Sequence, residues 1–224
     1  MLYFTATPIG NLEDITYRAI RIMKDSDYII CENISRTGII LKKYGIKKPL
    51  KSYNDYNKKM RTEWIIKQLK EGLEIAFVTS AGSPLISDPG FYLIKRLTHE
   101  NLPFTSIPGP SAVINSLILS GIPPDRFIFE GYLPKKKGKR HSIFHELTHE
   151  KRTVIVFESP NRIKKLIKEL DQFLPRREVS IIKEMTKIHQ TIVRGKPKEL
   201  LEKLPREKGE FVVVIGGEDW TGIQ

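Results

Sequence analysis

The sequence predicts an α/β protein built from two α/β domains, residues 1–121 and 122–224. Short apolar runs alternate with longer amphipathic segments along the whole chain, which is the pattern of layered α/β folds. Several of the apolar runs lead directly into loops rich in glycine and proline. The segment GIPPDRF at 121–127 is predicted to be the linker, because its two adjacent prolines cannot continue a helix.

The first half is predicted to form a mainly parallel sheet with helices between its strands. Asp14 is expected to cap the first helix, and Asp88 followed by Pro89 to start the fourth. Gly121 is expected to end the last helix of this half. The strands are predicted at 2–7, 27–31, 50–53, 74–78 and 104–107, and the helices at 14–24, before 44, at 58–71, at 88–100 and before 121.

The second half is predicted to repeat this arrangement, again with a mainly parallel sheet. Ser159 and Pro160 are expected to open one of its helices, as the cap and the first helical residue. The strands are predicted near 127–130, 153–157, 178–182 and 211–215.

Charge and cysteine content narrow the function classes. The chain carries 38 Lys and Arg against 26 Asp and Glu, a net charge of +12. A field of this sign attracts polyanions such as nucleic acid, although a lysine-rich solvated surface has the same composition. Cys31 is the single cysteine, so no internal disulfide can form and the cytoplasm is the expected location. We expect no signal peptide and no membrane partner, because no apolar run reaches the roughly 18 residues of a membrane span.

Three loops containing glycine and proline follow predicted strands: TPIGNLEDIT at 7–16, TSAGSPLISDPG at 79–90 and PGPSA at 108–112. Ligands of open α/β sheets bind beyond the carboxyl ends of the strands, so these loops can jointly enclose one small ligand through backbone groups. None of them ends in the Gly-Lys-Ser/Thr of a P-loop, and none is the Gly-x-Gly-x-x-Gly of a dinucleotide site. The alternative is that all three are ordinary tight turns.

Basic segments form the second group of candidates: KKYGIKKPLK at 42–51, NKKMR at 57–61 and KKKGKR at 135–140. The last is expected on a loop with Gly138, where its cations can follow phosphates. Each segment can equally be a solvated run of charge. The tyrosines near these segments that can stack on bases are Tyr53, Tyr56 and Tyr132.

Carboxylates at strand ends form a third group: Glu32, Glu158 and Glu184. A carboxylate in this place can orient or deprotonate a substrate, or it can cap a helix or form an ion pair. One face of a predicted helix carries three histidines at zinc-like spacing: His141, His145 and His149. We expect no metal site, because no cysteine lies near and no glutamate stands in the metalloprotease arrangement.

Six motifs occur in an order that resembles a known family: TPIGNLEDIT, SAGSPLISDPG, PGPSA, SGIPPDRFIFEGYLP, VFESPNR and KEMTK. The chain resembles the bacterial 16S ribosomal RNA ribose 2′-O-methyltransferases, of the tetrapyrrole methylase-like class of S-adenosylmethionine-dependent enzymes. The resemblance covers nearly the whole chain. It implies two α/β domains with the methyl donor in the cleft between them, and a homodimer. The implied substrate is the 2′-hydroxyl of a decoding-centre cytidine in 16S rRNA of the 30S subunit.

The matching motifs carry site residues over from the family. The resemblance implies that the donor, S-adenosyl-L-methionine, contacts Pro8, Ile9, Ser80, Ala81, Gly82, Ser83, Ile86, Ser111, Ala112, Phe157, Met185 and Glu210. The candidate catalytic carboxylates are Glu32 and Glu184. The candidate RNA-binding cations are Arg36, Lys135, Lys136, Lys137, Lys139, Arg140 and Lys187.

At several motif positions the chain departs from the family pattern. Acidic, threonine, arginine or histidine positions of the family are occupied here by Asn33, Ile34, Ser35, Tyr56, Ser80 and Asn161. The donor loops are preserved, because they rely on backbone and glycine, whereas the RNA site is altered. Three functions therefore stay open: an active rRNA methyltransferase, a non-catalytic RNA-binding relative, and a methyltransferase of a small tetrapyrrole precursor.

Overall fold

The computed structural model of the chain describes residues 1–220 and 222, and this part contains ten strands and eight α-helices. The first elements are β1 (Leu2–Thr5), α1 (Tyr17–Asp25), β2 (Tyr28–Cys31), α2 (Ile34–Lys43), β3 (Leu50–Ser52), α3 (Lys58–Lys70), β4 (Ile75–Val78), α4 (Phe91–His99) and β5 (Phe104–Ile107). The others are α5 (Ala112–Ser120), β6 (Phe127–Tyr132), α6 (Lys137–Leu147), β7 (Thr153–Glu158), α7 (Pro160–Phe173), β8 (Val179–Lys183), β9 (Thr191–Gly195), α8 (Pro197–Lys203) and β10 (Phe211–Ile215). No helix of the described residues combines the length and the apolarity needed to cross a bilayer.

The chain divides into two compact units, and the boundary between them lies between Ser111 and Ala112. The sequence predicts this boundary ten residues later, at 121–122. The difference is α5, which follows the first sheet in sequence but packs against β8 and β10. This helix is more apolar than the others, and its buried side chains include Val113 and Leu117. Its membership of the second unit therefore follows from the surface on which it buries these side chains.

The first unit is a five-stranded, fully parallel sheet in the order β3-β2-β4-β1-β5, which confirms the predicted parallel sheet of this half. Both of its faces are covered. Ile30 and Phe77 pack with α3 and α4 on one face, and Ile29 and Val78 pack with α1 and α2 on the other. Burial on both sides explains why the inner strands β2 and β4 are continuous apolar runs rather than alternating ones.

The second sheet has the order β6-β7-β10-β8-β9, and here the prediction of a mainly parallel sheet is wrong. Only β6 and β7 run parallel, while β7–β10, β10–β8 and β8–β9 are antiparallel. The turn at 184–190 is too short for a parallel crossover, so β9 must return beside β8. The strand β9 was not predicted, since it is a half-exposed edge strand with little apolar alternation.

Two helix starts also differ from the prediction. Helix α1 begins after Thr16, whose side chain accepts a hydrogen bond from the Ala19 N–H at 3.1 Å, and Asp14 instead ends a short 3₁₀ turn. Helix α4 begins after Gly90, because the Asp88 carboxylate is engaged by the Thr79 hydroxyl and does not cap the helix. The start at Ser159 and Pro160 is confirmed.

Candidate functional site

The carboxyl ends of β4, β1 and β5 carry the three glycine and proline loops, and the strand order makes these loops neighbours. The first two loops are joined by a pair of backbone hydrogen bonds. Thr7 N–H donates to the Gly82 carbonyl and Gly82 N–H to the Thr7 carbonyl, both at 2.9 Å. The Thr7 hydroxyl adds a bond to the Thr79 carbonyl at 3.1 Å. The loops therefore form one structure rather than three separate turns.

Gly82 is the contact point of all three loops. Its φ is +76°, and a Cβ placed on it would lie 3.3 Å from Ile9 Cγ2 and 3.8 Å from the Pro110 carbonyl oxygen. Gly109 is equally close, since its Cβ would lie 3.0 Å from the Ala6 Cβ. Glycine suits this approach, because an added Cβ at either position would lie closer to the neighbouring loop than side-chain carbons normally do. The result is a cradle in which the three loops meet through backbone atoms and apolar side chains.

The structure places the predicted donor residues of the first unit along this cradle. Pro8, Ile9 and Gly82 are buried, Ser80, Ser83 and Ser111 are half-buried, and Ala81 and Ile86 are exposed. A cavity of about 200 Å³ adjoins the cradle between the loop after β4 and strand β5. Its lining includes Ala6, Ser83, Pro84, Leu85, Ile107 and Pro108. The exposed and half-buried members are available to a ligand, and the buried ones support them.

The loop after β4 has a strained backbone, and its two ends are tied together by Asp88, which does not cap helix α4 as expected. Leu85 and Ser87 both have positive φ, 71° and 64°, which is costly for residues with a Cβ. The Thr79 hydroxyl donates to the Asp88 carboxylate and so ties the start of the loop to its end. Burial raises the pKa of Asp88, the nearby Glu32 charge adds to this, and the Thr79 bond opposes it.

Replacing Asp88 by asparagine is expected to leave the protein as stable or more stable at neutral pH, because the amide oxygen still accepts from Thr79 and no buried charge remains. In the parent protein the raised pKa of Asp88 means that the folded state takes up a proton before the unfolded state. Stability should therefore rise as pH falls through the folded pKa, and Asp88→Asn should lack this rise. Thermal unfolding across pH measures it. Asp88→Ala is the control, because alanine cannot accept the hydrogen bond from Thr79. If Asp88→Ala is as stable as Asp88→Asn, this hydrogen bond does not anchor the loop.

Glu32 lies beside the cradle at the end of β2, the strand next to β4. Its side chain is exposed and accepts a hydrogen bond from the Ser80 hydroxyl at 3.5 Å. The following Asn33 caps helix α2 by accepting from the Arg36 N–H at 3.0 Å. The amide at 33 thus has a structural role, and Arg36 is left exposed on the first turn of α2. Among the strand-end carboxylates, Glu32 is available to a substrate at this edge.

In the second unit, the ends of β7 and β8 and the start of β10 bring Phe157, Met185 and Glu210 to one edge of the sheet. The register pairs Phe211 with both Glu158 and Lys183, the last residues of the two neighbouring strands. Phe157 contacts the rings of Phe129 and Tyr132, with centroids 4.8 and 5.8 Å away. These three predicted residues therefore lie at the same edge of the second sheet.

Glu184 is tied into this edge rather than free within it. Its carboxylate accepts from the Glu210 N–H at 2.8 Å and from Lys187 Nζ at 2.9 Å. Lys187 Nζ also donates to Glu210 Oε2 at 2.9 Å. Burial alone would raise the pKa of Glu184, but the Glu210 N–H and the cations Lys187 and Lys183 outweigh it and lower the pKa. These contacts make Glu184 a weaker base than an ordinary glutamate and disfavour Lys187 as a phosphate ligand.

Replacing Glu184 by glutamine is expected to make the free energy of unfolding depend less on pH in the acid range. Because the folded pKa of Glu184 is lowered, its contribution is present above the unfolded value, about 4.3, and is lost as pH falls through the folded value. Urea unfolding of both proteins between neutral and acid pH should show curves that converge at low pH. Curves that stay parallel would contradict the assignment.

The basic segment after β6 differs from the prediction in two ways. Helix α6 begins at Lys137, so Gly138 and the following cations are helical rather than on a loop. Arg140 is 1% exposed, and its guanidinium donates to Glu169 at 2.6 Å and to Glu158 at 3.2 Å. The prediction that Arg140 binds RNA is therefore wrong, because its charge is buried between two carboxylates. The cations of this segment that remain exposed are Lys135, Lys136, Lys137 and Lys139.

Other candidates are also accounted for by packing. Tyr53 is buried with its hydroxyl 3.2 Å from that of Thr62, so it cannot stack on a base. His141 and His145 contact the ring of Phe173, with centroids 5.1 and 5.3 Å away. Within residues 1–220 and 222, no three metal-ligating side chains of His, Cys, Asp or Glu converge.

Comparison with known proteins decides the family. The profile of the tetrapyrrole (corrin/porphyrin) methylases matches residues 1–201. The chain belongs to the tetrapyrrole methylase family. A solved structure, that of uroporphyrin-III-C-methyltransferase from Thermus thermophilus, superposes with a TM-score of 0.67 over 96% of this chain and 93% of that one. Its sequence identity is 16%, so this likeness shows the fold alone.

Relatives with higher identity place the chain within one branch of the tetrapyrrole methylase family. The protein named ribosomal RNA small subunit methyltransferase I from Thermotoga maritima is 42% identical over 220 residues, which is 97% of this chain and 99% of that protein. The protein of the same name from Pasteurella multocida is 40% identical, over 97% of this chain and 79% of that protein. The resemblance to small-subunit ribosomal RNA methyltransferases that the sequence motifs indicate is therefore confirmed.

Proposed function

We propose that this chain is an S-adenosylmethionine-dependent methyltransferase that acts on the ribose 2′-hydroxyl of a decoding-centre cytidine in small-subunit ribosomal RNA. The observation that carries the proposal is the cradle around Gly82, in a chain 42% identical to a protein named for rRNA methylation. The cradle around Gly82 fits the methionine part of the donor, because backbone groups of its loops can bind the donor's carboxylate and ammonium.

In this proposal the donor supplies a methyl group already activated by its sulfonium. The chain must then hold the ribose oxygen in line behind that methyl, and alignment of this kind is worth roughly 7 kcal/mol or more. A ribose hydroxyl is a weak nucleophile and gains from an acceptor for its proton. Glu32 is our candidate for this acceptor, because its exposed carboxylate lies beside Ser80 at the edge of the cradle. Glu184 is the weaker candidate, since two donors already hold its carboxylate and lower its pKa.

The rRNA is proposed to contact the exposed lysines that precede and open α6, namely Lys135, Lys136, Lys137 and Lys139. The segment carrying them is fixed at both ends. Arg162 donates to the Leu133 carbonyl at 3.1 Å before it, and Arg140 is buried after it. Fixed cations lose less freedom when they bind phosphates than mobile ones do. The contacts of Phe157, Met185 and Glu210 with the adenosine part and the homodimer remain predictions from the family resemblance. The cytoplasmic location remains a prediction from the single cysteine.

Transfer of a labelled methyl group from S-adenosylmethionine to small ribosomal subunits lacking their native modifications tests the proposal. Label should appear in the extracted rRNA. Glu32→Gln should lower kcat by about 10²-fold or more with donor affinity unchanged, because it removes only the proton acceptor. Glu71→Gln, on the surface at the end of α3, is the matched control. Donor binding without transfer would indicate a different substrate, and the absence of both would favour a non-catalytic relative.

A further inference from the structure

The corner between β3 and α3 displays an aromatic ring that nothing in the first unit requires to be exposed. Tyr56 is fully exposed, and Lys59 beside it is exposed as well. The turn under the ring is fixed by asparagine side chains. The Tyr56 N–H donates to Asn54 Oδ1 at 3.1 Å, and Asn57 Nδ2 donates to the Ser52 carbonyl at 3.2 Å. The ring is thus held out into solvent by a rigid turn, at the usual hydrophobic cost of exposing it.

Cations surround this corner. Lys51 Nζ lies 4.9 Å from the ring centroid of Trp64, and the Arg61 guanidinium carbon lies 5.5 Å from the same ring. Arg61 is also fixed by its Nε, which donates to the Ser52 carbonyl at 3.0 Å. Between positions 51 and 61 the sequence has four cations and one acid, which is Asp55, paired with Lys58 at 2.8 Å. The corner is therefore positively charged around an exposed aromatic ring.

The corner lies at the same edge of the sheet as the Gly82 cradle. All five strands of the first unit are parallel, so the residues that follow β3 and those that follow β4 leave the sheet on one side. Strand β2 alone separates β3 from β4, and two strand spacings amount to about 10 Å. Glu32 directly follows β2, and Arg36 lies on the first turn of α2. A few nucleotides of extended single strand can span this distance.

We infer that the corner binds the single-stranded rRNA that flanks the target nucleotide, with one base stacked on Tyr56 and a phosphate held by Lys59. The inference rests on the proposed function and specifies its substrate contact. An exposed ring beside cations is the combination that single-stranded nucleic acid uses, since every base has a face to stack and every linkage a charge. An acidic protein partner would use the cations but would not require a ring that stacks.

Binding of the protein to unmodified small ribosomal subunits tests the inference. Tyr56→Ala should weaken binding between about fivefold and 150-fold, the range of one lost stack, whereas Tyr56→Trp should retain it. Lys59→Gln should weaken binding and reduce the slope of log K against log salt by roughly 0.7 to 1. Lys67→Gln is the control, because Lys67 lies at the other end of the same helix, away from this edge.

The outcomes separate this inference from the proposed function. If subunit binding depends on Tyr56 but the protein transfers no methyl group, RNA binding at the corner is supported and the proposed methyltransferase activity is refuted. If the protein transfers methyl groups and Tyr56→Ala binds subunits as the parent does, RNA binding at the corner is refuted and the proposed activity is not. Equal weakening by Tyr56→Ala and Tyr56→Trp would also overturn it, because a merely structural tyrosine would behave in that way. A parent protein that binds no subunits would overturn both.

Discussion

Replacing Gly82 by alanine is expected to weaken S-adenosylmethionine binding at least about tenfold, a loss of about 1.4 kcal/mol or more. Two effects combine in this substitution. The positive φ of +76° costs a residue with a Cβ roughly 1–2 kcal/mol. In addition, the new Cβ would press on Ile9 Cγ2 at 3.3 Å, so the Ile9 side chain must shift by a few tenths of an ångström within the cradle. Isothermal titration calorimetry with the donor measures the change, and Gly82→Val should abolish binding.

Gly72→Ala is the matched control for this experiment. Gly72 also has a positive φ, +87°, but a Cβ there meets no atom within 4 Å. It lies at the end of α3, away from the carboxyl edge of the sheet. The two alanine variants should therefore share the backbone cost and lose similar stability, while only Gly82→Ala loses donor affinity. If both variants bind the donor as the parent does, the cradle is not the donor site.

Replacing Arg140 by methionine is expected to destabilise the second unit by about 3–5 kcal/mol, the range for breaking a buried ion pair from one side. Glu158 has a fully buried side chain that pairs with Arg140 and with Arg162, at 3.2 and 2.6 Å. Glu169, 10% exposed, pairs with Arg140 Nε at 2.6 Å. Without the guanidinium, the ion pair left to Glu169 among the described residues is a long contact of 4.0 Å with Lys165. Urea unfolding measures the loss.

An exposed arginine provides the comparison. Arg152 pairs with Glu150 at 2.7 Å, but its side chain is 44% exposed, so Arg152→Met should cost less than about 1 kcal/mol. The triple variant Arg140→Met, Glu158→Gln and Glu169→Leu should recover part of the stability lost by Arg140→Met, because it removes the uncompensated charges. If Arg140→Met costs no more than Arg152→Met, the Arg140 side chain is not buried in solution. Arg140 would then again be a candidate RNA-binding residue.

The fold of the first unit could be predicted from sequence because its signals are local. Strands such as β4 (Ile75–Val78) are continuous apolar runs, and the loops that follow them contain the residues that sharp turns need. The direction of β10 could not be predicted in the same way. Strand direction depends on which neighbours a strand joins, and FVVVI at 211–215 has the same apolar run whether it pairs parallel or antiparallel.

The errors in the candidate site have the same origin, since they concern partners distant in sequence. Arg140 stands in a run of cations, and the carboxylates that bury it come 18 and 29 residues later. Asp88 has the sequence context of a helix cap, but its partner Thr79 lies across the loop. The Gly82 cradle was predictable to the extent that three loops at one edge were expected to meet. The contact of Gly82 with Ile9 and Pro110 required the folded backbone.

Mass spectrometry of the rRNA after reaction most directly tests the central claim, that this chain methylates a ribose. Small subunits lacking their native modifications would be incubated with the protein and S-adenosylmethionine, and nuclease fragments of the rRNA would be sequenced by mass. The account predicts one added methyl group on the ribose of a decoding-centre cytidine, absent with Gly82→Val. A methyl group on a base, or outside the decoding centre, would contradict the proposed target. Donor bound by calorimetry with no methyl group in the rRNA would contradict the proposed function.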